Sequence, residues 1–219
     1  MLFEHKNLKK LSLLGVAALC VAAGSTMQAA EITVAGGTLG SLNGGATGCS
    51  AAFQGLAFAC NSAFSVTTVG GFAALGGTGA SGADNLGSLT LAASTFNYSA
   101  VPFSLQVNFT APAGITAGNP ATFVATVSGA VNTLGNGGVF IDFNNTPQTF
   151  TFSSGNTTGS FSLAVNDTSI NPGQTVTITG NVFGASATSQ TPEPASMALM
   201  GLGLVAVGFA SRKISAARR

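Results

Sequence analysis

Large apolar residues alternate with polar residues along much of the chain from Leu86 onward. In residues 103–109, four large apolar side chains alternate with Ser104, Gln106 and Asn108. Successive side chains of a strand point to opposite faces, so this pattern is typical of half-buried strands. Comparable runs recur about every 10–15 residues, each bounded by Gly, Asn or Pro. The pattern predicts an all-β body, an antiparallel β-sandwich of about seven to nine strands, flanked by one apolar helix at each end.

Residues 31–82 are less regular than the rest of the body. Short apolar runs there are compatible with strands, and the glycine-rich pieces are typical of loops. The segment from Cys49 to Cys60 fits either a short helix or a disulfide-closed hairpin. We expect one domain over residues 31–184, followed by a polar linker at 185–191.

Residues 1–30 have the three parts of a secretory signal. Basic residues precede an apolar run of about 13 residues, and small residues follow it. That run is short for a membrane span, which needs roughly 20 residues. The alternative is a buried N-terminal helix, but three lysines before a run without a polar face favour export.

Removal of the signal would take away Cys20 and leave Cys49 and Cys60. In an exported protein such a pair predicts one disulfide. In the chain-entropy account, closing a loop of about a dozen residues adds roughly 2–3 kcal/mol to the free energy of unfolding. The alternative is two reduced, buried cysteines.

The C-terminal end has an uncharged apolar segment, residues 195–211, followed by four basic residues: Arg212, Lys213, Arg218 and Arg219. As a helix of 17 residues the segment would be about 26 Å long, close to the roughly 30 Å of a hydrocarbon core. Basic residues resist translocation, so the tail should stay cytoplasmic while the body crosses the membrane. A core helix is the alternative, but the segment has no polar face.

Pro192, Glu193 and Pro194 come just before this segment, and the order of the three parts resembles the PEP-CTERM protein-sorting signal. The resemblance covers residues 192–219. It implies export and transient inner-membrane anchoring in a Gram-negative bacterium that makes exopolysaccharide. It also implies cleavage near Pro-Glu-Pro by an exosortase, a membrane-embedded cysteine transpeptidase or protease, which places the body at the cell surface or in the matrix. The family usually has a tight basic run, which residues 214–217 interrupt here.

The charge distribution excludes several functions for the body. No Lys or Arg occurs between Lys10 and Arg212, and the only histidine is His5. Nucleic-acid binding needs Lys or Arg side chains to neutralise phosphates, so we expect that the body binds no nucleic acid. A Ser-His-Asp triad, a His-ligated metal and a Lys Schiff base each lack a member, so we expect no enzyme and no cofactor. A pair of carboxylates for glycoside hydrolysis would have to come from Glu31, Asp84, Asp142 and Asp167, and no pair stands out.

Weak calcium-site candidates are Asp84, Asp142 and Asp167, which lie in or beside Asn-containing turn sequences. Ordinary turn chemistry explains the same residues. Five Asn-x-Ser/Thr sequons start at Asn97, Asn108, Asn144, Asn156 and Asn166. Asn144 differs from the others because Asp142 stands two residues before it, as in the extended bacterial acceptor sequon.

Together these features predict an exported, non-enzymatic cell-surface or matrix protein associated with biofilm and extracellular polysaccharide. The alternative is a carbohydrate-binding module, with or without calcium. Sugar-binding platforms usually use exposed Trp or Tyr, and the chain has no Trp and only Tyr98. A cluster of exposed phenylalanines would favour this alternative.

Overall fold

A computed structural model describes residues 31–76, 84–189 and 200–205 of the chain. The expected signal segment, residues 1–30, lies outside these ranges. Within them the chain forms fifteen strands: β1 (Thr33–Leu42), β2 (Ser50–Phe53), β3 (Leu56–Ala59), β4 (Phe64–Thr67), β5 (Ala73–Leu75), β6 (Ser88–Leu91), β7 (Phe96–Ala111), β8 (Ile115–Ala117), β9 (Ala121–Val131), β10 (Gly137–Phe143), β11 (Gln148–Ser154), β12 (Thr157–Val165), β13 (Thr168–Ile170), β14 (Thr175–Thr177) and β15 (Gly180–Ser189).

The strands form three antiparallel sheets. A six-stranded sheet has the order β13-β10-β9-β7-β1-β4, a five-stranded sheet the order β5-β15-β12-β11-β8, and a four-stranded sheet the order β14-β6-β3-β2. The longest described strand, β7, has 16 residues and lies between β9 and β1. Its buried side chains alternate with exposed ones over most of its length, as the sequence predicts.

Phenylalanine contacts show how the sheets face each other. Phe109 on β7 contacts Phe150 and Phe161 of the five-stranded sheet, with ring centroids 4.6 and 5.2 Å apart. Phe103 on the same strand contacts Phe58 of the four-stranded sheet, with centroids 5.5 Å apart. The six-stranded sheet is therefore one layer of a sandwich, and the two smaller sheets cover different parts of its inner face.

Ile178 joins the two smaller sheets into one second layer. It lies between β14 and β15, which belong to different sheets, and is fully buried. Its carbonyl accepts a hydrogen bond from Leu86 N at 2.9 Å, and its N–H donates to the Gly87 carbonyl at 2.8 Å. The buried apolar side chains of the described residues form one continuous cluster.

The described residues contain more strands than the seven to nine that the sequence predicts. The additional strands are three or four residues long, as in β5, β8 and β13, or are built from small residues, as in β15. Neither kind gives a clear alternation. Residues 185–189, which we expected to belong to a polar linker at 185–191, are part of β15, because this strand continues to Ser189 through pairing with β12.

A disulfide joins Cys49 to Cys60, with Cα atoms 4.7 Å apart. The two residues flank the β2–β3 hairpin, and Cys60 N donates a hydrogen bond to the Cys49 carbonyl at 2.8 Å. Gln54 and Gly55 turn the chain with φ of 46° and 78°, the left-handed values that favour glycine. The predicted disulfide is confirmed and the segment is a hairpin. The short-helix alternative is wrong.

Candidate functional site

The C-terminal end of the body is the last part of β15. Thr188 and Ser189 pair with Thr158 and Thr157 of β12, and the hydroxyls of Thr158 and Thr188 are 3.2 Å apart. On the other side, β5 reaches only residues 180–182 of β15. The described part of the sheet therefore extends to Ser189.

The predicted sorting residues lie beyond that point. Pro192, Glu193 and Pro194, and the basic residues Arg212, Lys213, Arg218 and Arg219, are outside the described residues. Within the predicted span 195–211, residues 200–205 are described and helical. Their large apolar side chains are exposed, with Leu202 at 71% and Leu204 at 70%. Across the ranges that the structure describes, no helix has both the length and the hydropathy to cross a membrane.

Asp167 connects the end of β10 to the loop before β13. Its Oδ1 accepts a hydrogen bond from Phe143 N at 2.8 Å, and its Oδ2 accepts one from Asn145 Nδ2 at 3.1 Å. A carboxylate with both oxygens used in this way holds residues 143–145 against the body. This structural role is not visible in the sequence, because the partners are 22 and 24 residues apart.

The three calcium candidates do not form a cluster in the structure. Asp142 is exposed on β10, and no described residue forms a hydrogen bond with its side chain. Asp84 lies in the irregular segment before β6. Among the described residues, no group of three His, Cys, Asp or Glu side chains could hold a metal ion. The calcium site stays a prediction that gains no geometric support.

Two shallow depressions lie beside Asn144. One is lined by Val124, Thr126 and Asp142 and holds about 250 Å³, and the other, lined by Thr122 and Thr146, holds about 160 Å³. Ligand pockets usually have roughly 300–1,000 Å³ and enclose most of the ligand. These depressions therefore suit a surface contact better than an enclosed small molecule.

Tyr98 is part of the core. It is 2% exposed, and its hydroxyl donates a hydrogen bond to the Gln54 carbonyl at the tip of the β2–β3 hairpin. Burial raises the pKa of Tyr98 above its ordinary value of 10.0. A hydrogen bond with the backbone of Leu56 has the opposite, smaller effect on this pKa. The only tyrosine of the chain is thus unavailable for stacking on a sugar.

Exposed phenylalanines do not form a cluster in the described residues. Phe72, at 51% exposure, lies between β4 and β5, whereas Phe140, at 44%, lies on β10 of the six-stranded sheet. None of the described ring contacts includes either of them. The aromatic feature that would favour a carbohydrate-binding module is therefore not found in the described part of the chain.

Comparison with known proteins bears on the C-terminal end of the chain. Residues 190–213 match the PEP-CTERM protein-sorting motif, and the match begins at the residue after β15. No curated protein and no solved structure matches the chain. The body accordingly has no family assignment. The chain carries a PEP-CTERM protein-sorting motif, which indicates a protein that is exported and sorted by an exosortase.

Proposed function

We propose that this chain is the precursor of a non-enzymatic protein of the cell surface or extracellular matrix of a Gram-negative bacterium. An exosortase cuts it at or near Pro192-Glu193-Pro194 after the body has crossed the inner membrane. The observation that carries the proposal is the sorting motif at residues 190–213, which starts at the residue after the described part of β15.

Residues 195–211 hold the precursor in the inner membrane until it is cut. The segment contains no charged residue, and the helical residues 200–205 have exposed apolar side chains that suit contact with lipid. Arg212 and Lys213 remain on the cytoplasmic side because moving basic residues across the bilayer is unfavourable. The membrane contact ends when the enzyme separates the body from this segment.

The enzyme acts close to the folded body. Pro192 is three positions after Ser189, the last described residue of β15, so their Cα atoms can be at most about 11 Å apart. Pro192 and Pro194 lack an N–H donor and cannot extend the β15–β12 ladder through their own nitrogen atoms. The cut therefore leaves a body with only a few residues after its last strand.

The composition of the body supports a role without catalysis. Residues 31–191 contain no His, Lys or Arg, and both cysteines of the body are joined in the disulfide. Among the four acids, Asp167 uses its carboxylate to hold residues 143–145. The remaining surface is rich in hydroxyl and amide groups, which can hydrogen-bond neutral or acidic polysaccharide of the matrix.

A variant with Ala at positions 192, 193 and 194 tests the sorting step in cells that produce the exosortase. We expect the wild-type body in the surface or medium fraction and the variant uncut in the membrane fraction. Asn156→Gln, at an exposed position of the body outside the motif, is the control and should be cut normally. Normal release of the triple variant would contradict the proposed site.

The matrix role has a separate test. Cells that lack this protein should retain less extracellular polysaccharide and form weaker biofilms than cells with a restored copy. Unchanged polysaccharide retention, aggregation and biofilm would remove the support for a matrix role while leaving the sorting step intact.

A further inference from the structure

The Asn144 sequon differs from the other four in how the fold presents it. Asn144 lies directly after β10, and residues 144–147 belong to no strand. The side chains of Asn144, Asn145 and Thr146 are exposed. Within the described residues, no hydrogen bond involves Asn144 Nδ2 or the Thr146 hydroxyl. These are the two groups that an N-glycosylation sequon must offer to a transferase.

Asp142 adds a carboxylate two residues before Asn144. Its side chain is exposed on β10 and free of hydrogen bonds to the described residues. Asp142, Asn144 and Thr146 alternate along the chain, and all three side chains are exposed. They line the two depressions described above. The fold therefore presents an acid, an amide and a hydroxyl at the surface. Asn144, Asn145 and Thr146 lie outside the paired strands, whereas Asp142 and the buried Phe143 belong to β10.

Two other sequons lie within β7. The middle residue of each belongs to the core, since Tyr98 is 2% and Phe109 is 4% exposed. Asn97 pairs with Ala130 of β9, and Asn108 pairs with Gly37 of β1. Both asparagines lie within β7, which is paired on both sides in the six-stranded sheet, so a transferase could bind either sequon only after this strand had left the sheet.

In each of the remaining two sequons, one of the two groups forms a side-chain hydrogen bond: the amide in the Asn166 sequon and the hydroxyl in the Asn156 sequon. Asn166 Nδ2 donates to Thr179 Oγ1 at 3.0 Å, and Asn166 Oδ1 accepts from Asn181 Nδ2 at 3.0 Å. Asn156 lies in the exposed β11–β12 turn, but its sequon hydroxyl, on Thr158, forms a hydrogen bond with Thr188. Neither has a carboxylate two residues before it.

We propose that Asn144 is an acceptor for one N-linked glycan, added on the far side of the inner membrane. The donor is an oligosaccharide linked to a lipid pyrophosphate, and a transferase of the producing cell catalyses the step. The Asn144 amide nitrogen forms a bond to the anomeric carbon, and the bond from that carbon to the pyrophosphate oxygen breaks. The lipid pyrophosphate leaves with the electron pair, and the proton of the amide passes to a carboxylate of the transferase.

This modification depends on export but not on the exosortase cut. The uncut, membrane-held form should carry the glycan as fully as the released form. A failure of glycosylation would therefore leave the sorting proposal intact, and a failure of cutting would leave glycosylation measurable on the membrane-held chain.

The test is mass spectrometry of the protein purified from the cells that produce it. Trypsin is unsuitable because no Lys or Arg occurs between Lys10 and Arg212. Cleavage after Phe143 and Phe150 gives a fragment, residues 144–150, that contains only the Asn144 sequon. We expect this fragment, or the 141–150 fragment from cleavage after Phe140, to be heavier by the mass of one glycan.

Variants separate Asn144 from other attachment sites. Asn144→Gln and Thr146→Val should abolish the added mass, Asp142→Asn should lower the modified fraction, and Thr146→Ser should keep it. Asn156→Gln is the matched control and should leave the added mass unchanged. Equal melting temperatures would show that the variants are folded. An unmodified 144–150 fragment in the wild type, or added mass that persists in Asn144→Gln, would overturn the proposal.

Discussion

Among single residues, Phe109 contributes most clearly to the contact between the two layers. It is 4% exposed and contacts one phenylalanine of its own sheet, Phe64, and two of the facing sheet. We expect Phe109→Ala to lower the free energy of unfolding by about 3–5 kcal/mol, because it removes buried apolar surface and leaves a cavity. Urea denaturation of the body, residues 31–191, measures this.

Phe140→Ala is the matched control for Phe109→Ala. Phe140 is 44% exposed on the six-stranded sheet, so its truncation should change the free energy of unfolding by no more than about 0.5 kcal/mol. Equal losses for the two variants would contradict the two-layer arrangement.

Tyr98 gives the body a simple alkaline pH dependence. Burial raises the pKa of Tyr98 above 10.0, and residues 31–191 contain no Lys, Arg or His. As pH rises past 10 the unfolded state therefore loses its tyrosine proton first, which favours unfolding. This contribution to stability is complete below pH 10 and is lost as pH rises through the folded pKa.

Denaturation midpoints measured between pH 8.5 and 11.5 test this dependence. Above pH 10 the midpoint of the wild type should fall, whereas that of Tyr98→Phe should change little. Absorbance of tyrosinate should show the phenol titrating above pH 10 in the folded body. A wild-type midpoint that follows the Tyr98→Phe variant at every pH would contradict the assignment.

Among the elements, the β2–β3 hairpin is held by the Cys49–Cys60 disulfide at an edge of the four-stranded sheet. A double Cys→Ser variant should lose about 2–3 kcal/mol in free energy of unfolding, because the open loop has more conformational freedom when unfolded. A reducing agent should destabilise the wild type by a similar amount and leave the variant unchanged. Two free thiols in the exported protein would contradict the prediction.

The connection from β10 to β11 depends on Asp167. Asp167→Ala leaves Phe143 N and Asn145 Nδ2 without their acceptor, and should lower the free energy of unfolding by about 1–3 kcal/mol. Asp142→Ala removes the same charge from a side chain without described hydrogen bonds and should cost at most about 0.5 kcal/mol. Similar losses measured by denaturation would contradict the difference in roles.

Strands of large alternating residues can be predicted from the sequence, and strands of small residues cannot. β7 has Phe103, Leu105 and Val107 on its buried face, so its alternation is visible. β1 contains three glycines, and a Cβ at one of them, Gly40, would collide with the ring of Phe58. Close packing against the four-stranded sheet thus favours a glycine there, which weakens the strand pattern.

Pairing between segments that are distant in the chain also cannot be predicted from the alternation of apolar and polar residues. The packing of the two smaller sheets as one second layer depends on contacts such as the hydrogen bonds of Ile178 with Leu86 and Gly87, which lie far from it in the chain. The same holds for the carboxylate of Asp167, which the sequence assigns only to a turn. The sorting motif could be predicted because its three parts are contiguous and do not depend on the fold of the body.

For the whole molecule, the distribution of charge and the fold separate the body from the two basic ends of the chain. All seven Lys and Arg residues lie in the first 10 or last 8 residues, and the described sheet of the body reaches Ser189, the residue before the sorting motif. The basic residues at the two ends resist translocation. The body between them has no Lys or Arg, so it lacks this barrier to crossing the membrane. We therefore predict that the body crosses the membrane and is separated from both basic ends.

Intact mass of the protein, measured separately in the cytoplasmic, membrane and surface fractions, tests this account most directly. We predict a surface form that lacks the signal at residues 1–30 and ends after Ser189, within or close to Pro-Glu-Pro, and a membrane form that keeps residues 195–219. Full-length protein with both ends intact, dissolved in the cytoplasm and missing from the other fractions, would contradict it.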